Sequence, residues 1–157
     1  QLQFICVGSA EAVAKWTAVT SITIKNITTE LTLSLDKTTG ASLTAIGVAN
    51  KSLLVKNCPA AVSVVGQATP RTGYLMLYPV ADMGTVAAAI DLEVKATYGG
   101  EVKTLPVSIT NIDGGVQAGQ SHLITLTFAE DGTIIAEAGI AVWQPGNGGS
   151  SIITPGE

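Results

Sequence analysis

The chain of 157 residues holds one histidine and two cysteines, and these residues bound the chemistry it can carry out. A hydrolytic triad needs a base held between a nucleophile and an orienting carboxylate, and His122 is the one imidazole able to serve. It stands in SHLITLTFA, beside apolar residues, where a strand-end or sheet-face histidine is the simpler reading. Structural zinc calls for several Cys or His at short spacings, and Cys6 in FICVG and Cys58 in NCPAA lie far apart. The two thiols either form one bridge in an oxidising compartment or remain reduced on separate strands. NIDGG, residues 111–115, lacks the repeated acidic positions and closing Glu of a calcium loop, so Gly114 and Gly115 are assigned to a turn. Asp91 and Glu93 fall on alternating outward positions, where solvation explains them. Trp16 and Trp143 could stack on a sugar if exposed, or plug a core or strand end if buried. No strand, glycine loop and helix follow one another, so no dinucleotide or phosphate-loop site is placed. The inventory yields no catalytic residue, no cofactor-binding residue and no metal ligand; the expectation is a protein that is not an enzyme and carries no cofactor.

The composition fits that expectation. Hydrophobic residues reach 46%, yet aromatic residues are 4% and charged residues 13%, so the core must be packed from Val, Ile, Leu and Ala. Thr and Gly add to the lean towards strands. The mean hydropathy of +0.43 does not signal a spanning helix, because no window has the 18 or so uninterrupted apolar residues required. The best stretch, GYLMLYPVADMGTVAAAI, is broken by Pro79, Asp82 and Gly84. The hydrophobicity is instead assigned to a large β core, with apolar surface reserved for a partner. A net charge of -4 with eight scattered Lys and Arg argues against a nucleic-acid partner. A start at Gln1 without a basic and apolar leader reads as a trimmed or excised form of something longer.

The elements that must position these residues show a period of two. ELTLSLD sets Leu31, Leu33 and Leu35 against Thr32 and Ser34, predicting a half-buried strand. IDLEVKATY sets Ile90, Leu92, Val94, Ala96 and Tyr98 against Asp91, Glu93, Lys95 and Thr97. Gly99-Gly100 then joins it to EVKTLPVSI as a tight hairpin, whose Pro106 predicts an edge or a bulge. SHLITLTFA and TIIAEAGIAVW form a second hairpin about Asp131-Gly132, with Ile124, Leu126 and Phe128 on one face. VTSITIKNI, AAVSVVG and GYLMLYPV read as further strands, separated by TTGAS and QATPRTG, while AEAVAK is a turn of helix or a strand lead-in. Several short strands at near-regular spacing predict an all-β, two-layer antiparallel β-sandwich.

The order TYGGEVKTLPVSI, then VQAGQSHLITLTF, then AVWQPGNGG resembles the C-terminal domain of the fimbrillin-like proteins of Bacteroidetes, the type V pilin subunits and their accessory adhesins. The matching features are Ala118-Gly119-Gln120, Leu126-Thr127-Phe128, and Trp143 followed by a Gly-rich stretch to Gly149. VTSITIKNITTELTLSLD is similar to the family's early strand pair and GYLMLYPV to its central strand, so the likeness covers most of residues 18–149. Family members carry a domain ahead of this one. Residues 1–17 are therefore set apart as a remnant or lead-in strand, 18–145 as the sandwich domain and 146–157 as a Gly-rich tail. The resemblance implies a transthyretin-like, Greek-key sandwich, exported through the periplasm by the lipoprotein route to the outer membrane and trimmed by a protease. It further implies assembly with other pilin subunits, as a homo- or heteropolymer, by β-strand complementation in a fimbria that adheres to a host or bacterial surface ligand. Trp143 would plug the strand end, and Ile152 and Ile153 would be the apolar residues of a donor-strand tail. The alternative is a surface adhesin or glycan-binding β-sandwich that does not polymerise.

Overall fold

A computed structural model describes residues 1–55 and 58–141. Its elements are β1 (Leu2–Gly8), α1 (Ala10–Lys15), β2 (Trp16–Ile27), β3 (Glu30–Asp36), β4 (Gly40–Ile46), β5 (Lys51–Leu54), β6 (Ser63–Val64), β7 (Gly73–Leu75), β8 (Thr85–Tyr98), β9 (Glu101–Asn111), β10 (His122–Phe128) and β11 (Ile134–Ile140). The fold is all-β. One sheet runs β11-β10-β1-β6, with β7 also paired to β1; a second runs β5-β2-β8-β9; β3 and β4 form a separate two-stranded sheet.

The sequence pattern accounts for the larger sheets. In β8, Ile90, Leu92, Val94 and Ala96 are buried while Asp91 and Lys95 are exposed, as a strand with one face on the core requires. Gly99 and Gly100 take φ of 60° and 87°, the left-handed backbone that a two-residue hairpin turn between β8 and β9 demands. Pro106 lies on β9, an edge strand, where its missing N–H costs no ladder bond on the open side. Ile124, Leu126 and Phe128 of β10 are all buried and join one cluster with Ile22, Ile24, Leu92, Val94 and Ile109 from the other sheet.

Three expectations are modified, and the alternative left open for AEAVAK is resolved. β1 pairs in parallel with β10, Leu2 opposite His122 through Gly8 opposite Phe128, so that layer is not antiparallel throughout. AEAVAK is a helix, because the Ser9 side chain accepts from the Ala12 N–H at 3.1 Å and caps it. AAVSVVG and GYLMLYPV contribute just the short β6 and β7. Their flanks hold Pro59, Pro70 and Pro79, which cannot donate to a ladder. ELTLSLD is a strand, but Leu31, Leu33 and Leu35 are exposed rather than half-buried, since β3 pairs with β4 away from the sandwich.

Residues 1–17 pack into the same core as the rest: Leu2, Phe4, Cys6, Ala12 and Trp16 all belong to the central cluster. A boundary at residue 18 falls inside β2. Trp16, 1% exposed, closes one pole, with its ring centroid 4.7 Å from Tyr98 and 5.1 Å from Phe128. Its Nε1 donates to the Ala129 carbonyl at 2.8 Å. The Tyr98 hydroxyl donates to the Glu130 carbonyl at 2.6 Å, and Lys15 meets the Glu130 carboxylate at 2.8 Å. These contacts tie the start of β2 to the β10–β11 turn, so the two sheets are joined by rings and by hydrogen bonds at the same end.

Candidate functional site

The residues singled out by chemistry lie at different places in the sandwich. Cys6 is buried on β1 and Cys58 is half-buried, both as free thiols. Burial pushes the Cys6 thiol up to about 12; a hydrogen bond from Thr72 opposes this, and charge on Cys58 adds to it. Cys58 is also raised by burial, with the Ile22 backbone acting against the shift. Burial thus favours the protonated form of both thiols and suppresses thiolate chemistry most at Cys6, the more deeply buried of the two.

His122 opens β10 and is 4% exposed. Its Nε2 has no hydrogen-bond partner among the described residues. Burial, and then the Gln1 ammonium, lower its pKa. It lines a cavity of about 230 Å³ with Asn111, Asp113, Gln120 and Ile140. Ser121, its chain neighbour, is bonded instead to Gln1 Oε1 at 3.2 Å and accepts from Gln3 Nε2 at 3.0 Å. Among the described residues, His122 is not joined to a nucleophile. Trp16 is buried and bonded, so it offers no ring to a sugar. Asp91 accepts from Ser108 at 3.0 Å and Glu93 stands 3.7 Å from Lys25; the two carboxylates are held on the outer sheet face. Gly114 and Gly115 occupy a turn with positive φ, as expected. No group of three or more His, Cys, Asp or Glu is placed to hold a metal among the described residues. Trp143, Ile152 and Ile153 lie outside the described residues, as does the Gly-rich tail.

The more informative geometry is in the backbone at the sheet edges. On one flank β9 and β11 close against each other, with Asn111 Oδ1 accepting from the Ala138 N–H at 3.1 Å. The other flank is finished differently. β1 is paired with β10 along its whole length on one side. On the other side, β7 covers Leu2 to Phe4 and β6 covers Val7 and Gly8, leaving Ile5 and Cys6 between two short pieces of ladder. β2 repeats the pattern. β5 pairs with it at Thr23, Ile24 and Ile27, and upstream it has the Val55–Ile22 hydrogen bond and the Val19–Ala60 bridge. Val55 and Val62, 1% and 5% exposed, seal the core there from a largely irregular segment. Sequence reasoning missed this flank because AAVSVVG and GYLMLYPV have strand composition; the prolines around them were the available signal.

The β3–β4 hairpin is the second distinctive surface. All of β3 is exposed, and β4 is exposed save for the half-buried Ala45. It joins the body near Ile27 and Lys51, and the Tyr78 hydroxyl donates to its Leu43 carbonyl at 3.0 Å.

No protein-family model, curated protein or solved structure matches this chain.

Proposed function

We propose that the chain is a structural subunit of a bacterial surface fimbria, assembled with other pilin subunits by β-strand complementation and supporting adhesion at the outer membrane after export through the periplasm. The single observation that supports this reading most is the flank where β1 and β2 are finished by strands of two to four residues and by irregular backbone between them. Sheet edges with unpaired N–H and C=O groups are templates for an added strand. An extended donor entering there would gain ladder bonds, each contributing about 1 kcal/mol net, while alternate side chains fill apolar pockets. The resemblance of residues 18–149 to fimbrillin-like domains points the same way. A transthyretin-like Greek-key arrangement is part of that proposal.

Immunogold electron microscopy of cells that make the protein tests the reading. Continuous labelled filaments are the expected result. Label spread over the envelope with no filament would overturn it in favour of an adhesin that does not polymerise. The tail carrying Ile152 and Ile153 is tested separately: if deleting residues 150–157 leaves multimers unchanged, it is not the donor.

A further inference from the structure

We propose that the β3–β4 arm is a self-association surface on which a second copy of this chain docks, the leucine ridge of one arm lying over the alanine-lined strand of the other. Along the paired strands, Leu31 faces Ala45, Leu33 faces Leu43 and Leu35 faces Ala41. Because side chains alternate across a strand, these six residues share one face, and Thr32, Ser34, Ser42 and Thr44 share the other, with Glu30 and Ile46 at its base. The apolar face remains in water: Leu33 is 60% and Leu35 77% exposed. A lone two-stranded hairpin is marginal in water, and between residues 31–35 and 41–45 the strand pair has the pattern of a sheet with one buried face.

The pattern also selects the occupant. β3 carries three leucines in a row and β4 carries Ala, Leu, Ala, so the face has a high side and a low side. Two copies stacked face to face about a two-fold axis parallel to the strands place each β3 over the partner's β4. Leu31 and Leu35 then meet Ala45 and Ala41, with Leu33 over Leu43. An axis perpendicular to the strands would set ridge on ridge. Self-complementarity about a two-fold axis is the requirement of an isologous contact. The four leucines of one arm expose roughly 250–300 Å² of aliphatic surface. Two arms would together bury about 600 Å², half of the roughly 1,200 Å² at which stable standard interfaces begin. The contact is therefore weak, with a dissociation constant of about 0.1–1 mM, and it is populated where copies are held close together, at effective concentrations in the millimolar range. This inference does not depend on the fimbrial reading; it requires only many copies on one surface or filament.

Sedimentation velocity of the full chain from about 0.01 to 2 mM tests it, the range bracketing that constant. A reversible monomer–dimer shift is expected. Leu33→Glu and Ala45→Leu, the first charging the ridge and the second filling the low side, should each weaken dimerisation at least tenfold. Thr32→Glu, on the opposite face, should leave it unchanged. Far-UV circular dichroism checks that each variant keeps the fold. A mixture of Leu33→Cys and Leu43→Cys chains should cross-link faster under mild air oxidation than either chain alone. Fastest linkage of Leu33→Cys to itself would overturn the ridge-on-low-side packing. A monomer at every concentration would overturn the proposal, as would loss of the shift in Thr32→Glu as complete as in Leu33→Glu. Leucine-dependent co-sedimentation with phosphatidylcholine vesicles and no dimer would overturn it in favour of a lipid surface.

Discussion

Replacing Trp16 by Phe isolates what closes the pole of the sandwich. The indole is 1% exposed and its Nε1 donates to the Ala129 carbonyl at 2.8 Å, while its ring packs against Tyr98 and Phe128. Phenyl keeps much of the ring contact and loses the donor. The lost hydrogen bond costs about 1 kcal/mol. The volume difference between the rings, about 40 Å³, costs about 1 kcal/mol more at the usual cavity coefficient. The sum, about 2 kcal/mol, lowers Tm by roughly 4–8 °C for a domain of this size. Trp16→Ala removes the ring contacts as well and should cost about 3–5 kcal/mol. Urea denaturation followed by far-UV circular dichroism measures both. Val102→Ala, at a site 66% exposed, is the control and should stay within about 0.5 kcal/mol. If Trp16→Phe also stays within about 0.5 kcal/mol, the pole is held by something other than the indole, and the reasoning from its geometry fails.

Gly8→Ala should destabilise the fold by about 1–3 kcal/mol, because a Cβ there would sit 2.9 Å from the Phe128 carbonyl oxygen and 3.2 Å from the Ala12 Cβ; an unchanged urea midpoint would refute the close approach of β1 and β10. Thiol labelling at pH 8 with an aromatic disulfide reagent should modify Cys58 first and leave Cys6 untouched until the protein unfolds, since burial raises both thiols and carries Cys6 to about 12. Equal rates would contradict the burial. His122 has its pKa lowered chiefly by burial, so below about pH 6.5 the unfolded chain binds a proton that the folded chain resists. Its contribution is intact above that value and is lost as pH falls through the lower folded value. The urea midpoint should drop between pH 7.5 and 5, and His122→Gln should flatten that drop; an identical drop in the variant would exclude His122 as its source. Asp36 and Asp131, lowered mainly by hydrogen bonds from Thr39 and Thr133, act in a separate window, below about pH 4.

The parts of the fold that can be read from sequence are those where one local signal decides the structure. IDLEVKATY followed by Gly99-Gly100 is an example: alternation assigns the buried face and the glycine pair fixes the turn, so β8 and β9 follow. The parallel pairing of β1 with β10 is not local, because it joins residues more than a hundred positions apart in the chain, and no spacing rule reaches across that distance. GASLTAI is harder still. Its Gly, Ala and Ser resemble a loop, and it becomes β4 because Leu31, Leu33 and Leu35 stand opposite. AAVSVVG shows the reverse. Val62 is buried as its composition implies, yet it seals the core from an irregular segment, because burial needs apolar atoms and not a ladder. Of the candidate site residues, the chain showed that His122 stands alone; it did not show that a flank of both sheets is finished by irregular backbone.

The arm shows what alternation does and does not say. Period two in ELTLSLD states that one face prefers to leave water; it does not state which body covers that face. The core satisfies the same preference in β8 and β10 within the chain. In β9 and β11 the exposed apolar residues, Val102, Ile135 and Ile140, are spread singly along edge strands, as isolated apolar residues commonly are on soluble surfaces. On β3 and β4, Leu31, Leu33, Leu35 and Leu43 are collected on one face, while the other carries hydroxyl residues with Ile46 at its base. Scatter needs no partner, whereas segregation of this kind has a cost in water that no contact among the described residues relieves. The high hydropathy of the chain is thus divided between a core that explains itself and an arm whose pattern is completed by a second molecule.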